Sequence, residues 1–236
     1  MRSVRGETML YEAWQRAAGS AERHIREYFQ MANNGRPVFT GSRFETFGGG
    51  GAVAPDRITA DDLTAVSMLS VHVPAQAAGG ITGRFADDIS DLLARLPSNT
   101  DLHELSENEF EGLMGSNESP GAQLWDLLRQ NGSSAGRWGV GETTASKIMA
   151  RKRPRLIPIY DSVVRKAVHL RHSGEHWQTW RGALTGPEGV DLVASLRRVR
   201  AATGQHHLSL LRVLDIVLWQ DNRGPGDVAE TVADED

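Results

Sequence analysis

Residues 139–147 read GVGETTASK, and this stretch decides which fold we expect. Gly139 and Gly141 allow a tight turn and a close approach between backbone and ligand, because glycine has no side chain. The residues that follow predict a helix over 141–152. The first N–H groups of a helix point outward and carry the positive end of its dipole. The turn and the helix together therefore predict a phosphate-binding site.

The chain around this turn is strongly basic, although the protein as a whole carries a net charge of −4. Residues 137–172 hold nine Lys or Arg and two acidic residues, which gives +7 and leaves −11 for the remainder. All three lysines of the protein lie in this segment. A basic patch on an acidic body is typical of proteins that bind polyanions. The alternative interpretation is a solvated charged face.

Composition excludes several other kinds of site. The 236-residue chain has no cysteine, which excludes disulfides, zinc sites with thiolate ligands and iron–sulfur clusters. The glycine turn has neither the third glycine of a dinucleotide fingerprint nor the lysine of a P-loop, so we expect no nucleotide cofactor. We also expect no metal, because Gly174 interrupts the helical spacing between His172 and His176, and these histidines are expected at the surface. The N-terminus has no apolar core of signal-peptide length, and no apolar run reaches 18 residues. We therefore expect a cytoplasmic protein without a membrane partner.

Apolar residues recur at helical spacing along most of the chain, so the sequence predicts a mainly α protein. Helices are expected over 7–32, 59–71, 84–96, 107–114, 119–130, 141–152, 161–172, 187–203 and 207–220. The last helix is apolar nearly all round, which predicts burial, and Asp215 is expected to pair with Arg212. The segment 36–50 is compatible with a short β-hairpin that runs into a flexible glycine loop. The acidic tail 223–236 is predicted to be disordered.

One pattern resembles the helix-hairpin-helix DNA glycosylase superfamily, to which endonuclease III and the mismatch adenine glycosylase belong. The pattern is Gly139-Val140-Gly141, then Thr144-Ala145, then Asp161 at 20 residues after Gly141. The apolar run Ile157-Pro158-Ile159 precedes the aspartate, and basic residues follow it. A weaker likeness is MLSVHV at 68–73, where His72 stands in place of the family's glutamine. Arg137-Trp138 departs from the family's Leu-Pro.

The resemblance implies two interlocked helical subdomains within residues 1–222, with the helix-hairpin-helix motif over about 120–152. It implies a monomer that binds double-stranded DNA in the nucleoid and flips a damaged or modified base. Asp161 would then support hydrolysis of the N-glycosidic bond, in base-excision repair. The lysine of bifunctional members falls at Thr143, so a glycosylase without lyase activity is expected, with Thr143 facing the substrate. Lys147 is the alternative if a Schiff base forms.

The residues expected to contact DNA are the turn, the cations around it and three ring side chains: His72, Trp138, Gly139, Val140, Gly141, Thr144, Lys147, Arg151, Lys152, Arg153, Tyr160, Arg165 and Lys166. Packing is the competing interpretation for Trp138 and Tyr160, and a helix N-cap is the competing interpretation for Asp161. Two other functions stay open. One is a helix-hairpin-helix module that binds DNA without chemistry, and the other is a helical domain whose basic patch meets an acidic protein.

Overall fold

A computed structural model of the protein describes residues 3–130 and 136–224. These residues are mainly helical, as predicted. The helices are α1 Ser3–Ala17, α2 Ala21–Tyr28, α3 Ala60–Ser67, α4 Ala75–Gly79, α5 Ala86–Ala94, α6 Glu107–Phe110, α7 Pro120–Arg129, α8 Glu142–Lys152, α9 Ser162–Ala167, α10 His176–Thr185, α11 Gly189–Ala202 and α12 Leu210–Asn222. Two π-helical turns, Gly80–Arg84 and Glu111–Gly115, extend α4 and α6. Most of the acidic tail 223–236 lies outside the described residues.

The chain divides into two compact units that alternate along the sequence. Unit 1 combines Met1–Arg43 with Tyr160–Asp236, and unit 2 spans Phe44–Ile159. In unit 1, α12 contacts α1, α2, α9 and α11, and α1 packs along α10. In unit 2, α3 packs on α8, and α7 contacts both α5 and α8. The helices expected for the helix-hairpin-helix motif, α7 and α8, are therefore neighbours in unit 2.

Helix α12 forms the centre of unit 1, as its apolar sequence predicted. Every residue from Leu210 to Leu218 is buried. The predicted ion pair is confirmed, because Arg212 Nη1 lies 2.5 Å from Asp215 Oδ2. Arg212 Nη2 also donates to the hydroxyl of Tyr28 at 2.8 Å. The buried guanidinium thus has the hydrogen-bond acceptors that a charge needs in a helical core.

The β-hairpin considered for residues 36–50 is wrong. This segment forms two 3₁₀ turns, Thr40–Arg43 and Phe47–Gly49. Across the described part of the chain, extended pairing is limited to one antiparallel bridge between Met31 and Pro37. Two physical causes prevent a ladder here. The backbone φ is 57° at Gly48, 82° at Gly49 and 89° at Gly50, and extended strands do not have these positive values. The carbonyl of Phe47 accepts a hydrogen bond from the Arg151 side chain of α8 and not from a neighbouring strand.

Several helix boundaries also differ from the prediction. The helix expected over 7–32 is interrupted by a 3₁₀ turn at Ala18–Ser20 and ends at Tyr28. The helix expected over 161–172 ends at Ala167, and His169 then takes a φ of 52°. Helices α4 and α10 were not predicted. Helix α10 reads HWQTWRGALT, a mixture of polar residues and glycine without clear apolar spacing.

Candidate nucleic-acid interface

The predicted glycine turn is present in unit 2, directly before α8. Gly139 has a φ of 85°, and a Cβ there would lie 3.0 Å from Pro74 Cγ. Gly141 is the N-cap residue of α8 and, as glycine, supplies no side-chain acceptor to the first turn. A Cβ on Gly141 would meet nothing within 4 Å. No side-chain hydrogen bond therefore caps the N-terminus of α8, where Glu142 of the first turn lies 3.5 Å from Arg129, while Val140 is buried beneath the turn.

Trp138 fixes this turn to the rest of unit 2. Its Nε1 donates to the carbonyl of Leu128 at the end of α7, at 2.7 Å. Its ring meets the ring of Phe85 edge-on, with centroids 5.6 Å apart. A Cβ on Gly80 would lie 2.1 Å from this indole. The π-helical turn can therefore lie against Trp138 only because residue 80 is a glycine. These contacts favour the packing interpretation of Trp138 over a wedge between bases.

The loop that contains His72 lies beside the glycine turn. Lys147 Nζ, on α8, donates to the carbonyl of Leu69 at 2.8 Å, and Pro74 faces Gly139. His72 itself is exposed. Two of the segments that carry the family resemblance, 68–73 and 139–147, are thus brought together in one unit, although they are far apart in sequence.

The basic run on α8 does not form an exposed patch. Lys147, Arg151, Lys152 and Arg153 are only 4%, 3%, 2% and 1% exposed. Burial corrects the prediction that these four side chains contact DNA phosphates, and it equally excludes the alternative of a solvated charged face. Thr144 is also buried, whereas Thr143 is half-buried in the first turn.

Asp62 is the centre of the network that accepts these cations. Arg151 Nε lies 2.9 Å from Asp62 Oδ1, and Lys152 Nζ lies 2.9 Å from Asp62 Oδ2. The same carboxylate closes a capping box at the start of α3, because it accepts from the backbone N–H of Thr59 at 3.0 Å. One buried acid therefore caps α3 and pairs with two cations of α8, which explains why these helices pack together.

Backbone carbonyls of the glycine-rich segment supply most of the remaining acceptors. Arg151 donates to the carbonyls of Phe44 and Phe47, the latter at 2.6 Å, and Lys152 donates to that of Val53 at 3.2 Å. A Cβ on Gly51 would lie 1.8 Å from the carbonyl oxygen of Arg151. The glycines therefore let the segment lie directly against the C-terminal end of α8, where its carbonyls reach the cations.

Arg153 is bonded in the same manner at the end of α8. Its guanidinium donates to the carbonyls of Pro55 and Leu96, both at 2.7 Å, and also to that of Leu93. The carboxylate of Asp56 accepts from the same group. A fully buried guanidinium is tolerated only when its donors are satisfied, and here several acceptors surround it. One sequence feature could have predicted this burial. The chain contains both a glycine loop at 48–51, whose residues have no side chains to cover the backbone carbonyls, and a dense run of cationic donors at 151–153.

The expected catalytic residues are divided between the units, because Thr143 lies in unit 2 and Asp161 lies in unit 1 together with Tyr160, Arg165 and Lys166. Asp161 is half-buried and is the N-cap of α9, where Oδ1 accepts from the backbone N–H of Val163 at 2.8 Å. Arg165 is half-buried and Lys166 is exposed, both in the last turn of α9. Tyr160 is 6% exposed, and its ring packs edge-on against His176 with centroids 5.2 Å apart. The prediction that Tyr160 contacts DNA is corrected in favour of packing, because its ring is part of the core.

One group of side chains within the described residues has the spacing of metal ligands. Atoms of Asp101, His103 and Glu104 lie within 4.8 Å of one another. However, both oxygens of Asp101 accept from Arg155, at 2.8 and 2.9 Å, and this contact raises the pKa of the guanidinium above its usual value. Glu104 accepts from the backbone N–H of Asp101 in a capping box. A cation beside the carboxylate disfavours a metal, so the group is a structural cap.

Comparison with known proteins connects the chain to one family. Residues 21–222 match the family described as "Family of unknown function (DUF6308)". The chain belongs to the DUF6308 family. The match covers both units, and it includes α8 with the glycine turn and the buried cations. The searches of curated proteins and of solved structures found no match. Among the described residues, no helix has both the length and the apolar character needed to cross a membrane.

Proposed function

We propose that the protein binds duplex DNA through the surface of unit 2 formed by the glycine turn and the His72 loop. The observation that carries this proposal is the open N-terminus of α8. Gly141 provides no cap side chain, and the space beside it is unfilled. Backbone N–H groups at such a helix start bind a phosphate oxygen with support from the helix dipole.

Two exposed arginines can complete this surface in place of the buried run. Arg137 directly precedes Trp138 in the turn. Arg84 ends the π-helical turn and lies over the ring of Phe85 at 4.9 Å, and that ring contacts Trp138. Both side chains are exposed, and both are linked to the glycine turn through Trp138, Arg137 by sequence and Arg84 by way of Phe85. Phosphate contacts of this kind position a protein on DNA without reading its sequence.

The second candidate is the glycosylase activity that the resemblance implies. It is favoured by the position of Asp161, which is half-buried and begins a helix 20 residues after Gly141. Capping one N–H uses part of the acceptor capacity of a carboxylate, so the cap is compatible with a second role. In that role Asp161 would stabilise positive charge on the sugar or deprotonate a water. Thr143 stands where a lyase would have its lysine, which makes the proposed activity monofunctional.

DNA binding is tested by fluorescence anisotropy with a short duplex that carries an abasic-site analogue, at two salt concentrations. Replacing Arg84 and Arg137 by Gln should weaken binding, and it should lower the salt slope by about one for each arginine that pairs with a phosphate. Arg95→Gln is the matched control, because this arginine is also exposed in unit 2 but lies at the end of α5. Wild-type protein that does not bind DNA refutes both DNA functions and favours a helical protein-interaction domain.

Catalysis is tested with Asp161→Asn. Asparagine is as good an N-cap as aspartate, so α9 should keep its start and the variant should stay folded. The glycosylase proposal expects unchanged DNA affinity and loss of base release from a panel of damaged duplexes. Base release by the variant at the wild-type rate would exclude Asp161 as the catalytic group. DNA binding by the wild type without release of any base would support the non-catalytic module.

A further inference from the structure

Unit 1 contains an open cavity of about 610 Å³ between α2 and α11. Guanidinium groups and carboxylates dominate its polar wall. The charged lining residues are Glu22, Arg23, Arg26, Glu27 and Arg198. Cavities that bind small molecules have volumes of about 300–1,000 Å³, so this one is large enough for a ligand of nucleotide size.

Each of the three arginines is already oriented by a neutral acceptor. Arg23 donates to the hydroxyl of Ser20 at 2.9 Å, and Arg26 donates to the carbonyl of Ala202 at 2.8 Å. Arg198 donates to the hydroxyl of Ser195 at 3.2 Å. A guanidinium that is held in this way loses less side-chain entropy when it binds a ligand.

The ion pairs within the cavity are long by comparison. Arg23 lies 4.0 Å from Glu27, and Arg26 lies 3.5 Å from Glu22. Strong charge-assisted hydrogen bonds are about 2.7–2.9 Å, and exposed pairs at longer distance contribute little. Three arginines and two glutamates leave one positive charge in excess. The side chains of Arg23 and Arg26 are 64% and 58% exposed, and the two glutamates are 44% and 55% exposed, so a ligand anion can replace the glutamate contacts without leaving either carboxylate buried.

We propose that this cavity binds a small molecule that carries both a phosphate ester and hydroxyl or amino groups. Phosphate oxygens match the forked donor geometry of guanidinium groups. The two glutamates would accept hydrogen bonds from the hydroxyl or amino groups of the same ligand. Nucleotides and sugar phosphates have this combination. No residue of the cavity belongs to the proposed DNA surface, so the inference does not depend on the proposed function.

The experiment is calorimetric titration of the full chain with AMP, adenosine and inorganic phosphate. AMP should bind saturably and more tightly than either adenosine or phosphate alone. The double variant Arg26→Gln/Arg198→Gln should bind AMP at least roughly tenfold more weakly, because it loses charge-assisted hydrogen bonds. Arg197→Gln is the matched control, since this residue is exposed on α11 but does not line the cavity. The control should bind AMP as the wild type does.

Two outcomes overturn the proposal. One is the absence of AMP binding at millimolar concentration, and the other is equal AMP affinity in the wild type and the double variant. Titration with duplex DNA separates the two sources of phosphate. If the double variant loses DNA affinity and the wild type prefers DNA to AMP, the small-molecule assignment is wrong. Thermal unfolding of each variant confirms that the exposed substitutions leave the fold intact.

Discussion

The buried network around Asp62 makes a quantitative prediction for Asp62→Asn. This change removes the negative charge but keeps the shape of the side chain, so Arg151 and Lys152 lose their counter-charge. Their side chains are 1% and 0% exposed, and water cannot replace the missing carboxylate. Removing one member of a buried ion pair costs about 3–5 kcal/mol. The capping box of α3 would also weaken, although asparagine still accepts hydrogen bonds.

This cost is a large part of the total stability of a domain, which is about 5–15 kcal/mol. In a protein of this size each kcal/mol lowers the melting temperature by about 2–4 °C, so we expect a decrease of roughly 10–15 °C. The assay is thermal and urea unfolding of the full chain, followed by far-ultraviolet circular dichroism. Asp61→Asn is the matched control, because Asp61 precedes the buried residue in the same helical turn and is exposed. Its effect should be below about 1 kcal/mol.

Equal stability of the two aspartate variants would refute the reasoning. It would mean that Arg151 and Lys152 reach solvent and do not depend on Asp62. That result would again favour the basic run as a phosphate-binding patch. In that case Arg151→Gln should weaken DNA binding without unfolding the protein. If Arg151 is buried in the Asp62 network, Arg151→Gln should instead lower the free energy of unfolding.

Three further predictions concern the turns and caps. Gly139→Ala should lower the free energy of unfolding by about 1–2 kcal/mol, because the φ of residue 139 is positive, whereas Gly141→Ala should have little effect. Chemical denaturation of the two variants measures the difference. Equal losses of stability would contradict the turn geometry. Gly51→Ala should destabilise the protein by several kcal/mol, because its Cβ would overlap a carbonyl of α8; unchanged urea unfolding would contradict this packing. Hydrogen bonds from Ser106 lower the pKa of the Glu109 carboxyl group. The ionised carboxylate therefore stabilises the fold above its unfolded-state pKa, and this stabilisation is lost as the pH falls through the folded-state pKa. An NMR titration of Ser106→Ala should show the pKa of Glu109 raised towards its ordinary value.

Features with local causes could be predicted from the sequence. Asp161 is the N-cap of α9, as its competing interpretation held, and the helix expected from residue 59 begins with Thr59 as its cap, because capping depends on a side chain and the next few residues. The burial of α12 and the Arg212–Asp215 pair also follow from the spacing within one helix. The mainly α architecture is the sum of such local signals, whereas the helix-hairpin-helix glycosylase fold stays a prediction.

Features that depend on distant partners could not be predicted. The charge of Arg151 says nothing about whether its donors face solvent or the carbonyl of Phe47, which is 104 residues earlier. The glycine segment 48–51 suggested a flexible loop, because the acceptors that it offers are backbone atoms without a sequence signature. Tyr160 was expected to contact DNA and His176 to lie at the surface, yet the two rings are buried against each other, because their packing also depends on the tertiary fold.

The burial of α8 has a practical consequence for chemical labelling. The protein has three lysines, and amine-reactive reagents need a solvent-accessible, deprotonated amine. Lys147 and Lys152 are buried with their amines hydrogen-bonded, whereas Lys166 is exposed on α9. Among lysine side chains, a fluorophore or cross-linker should therefore attach to Lys166 in the folded protein. The other two lysines should react only on unfolding, which makes lysine labelling a direct report of the integrity of unit 2.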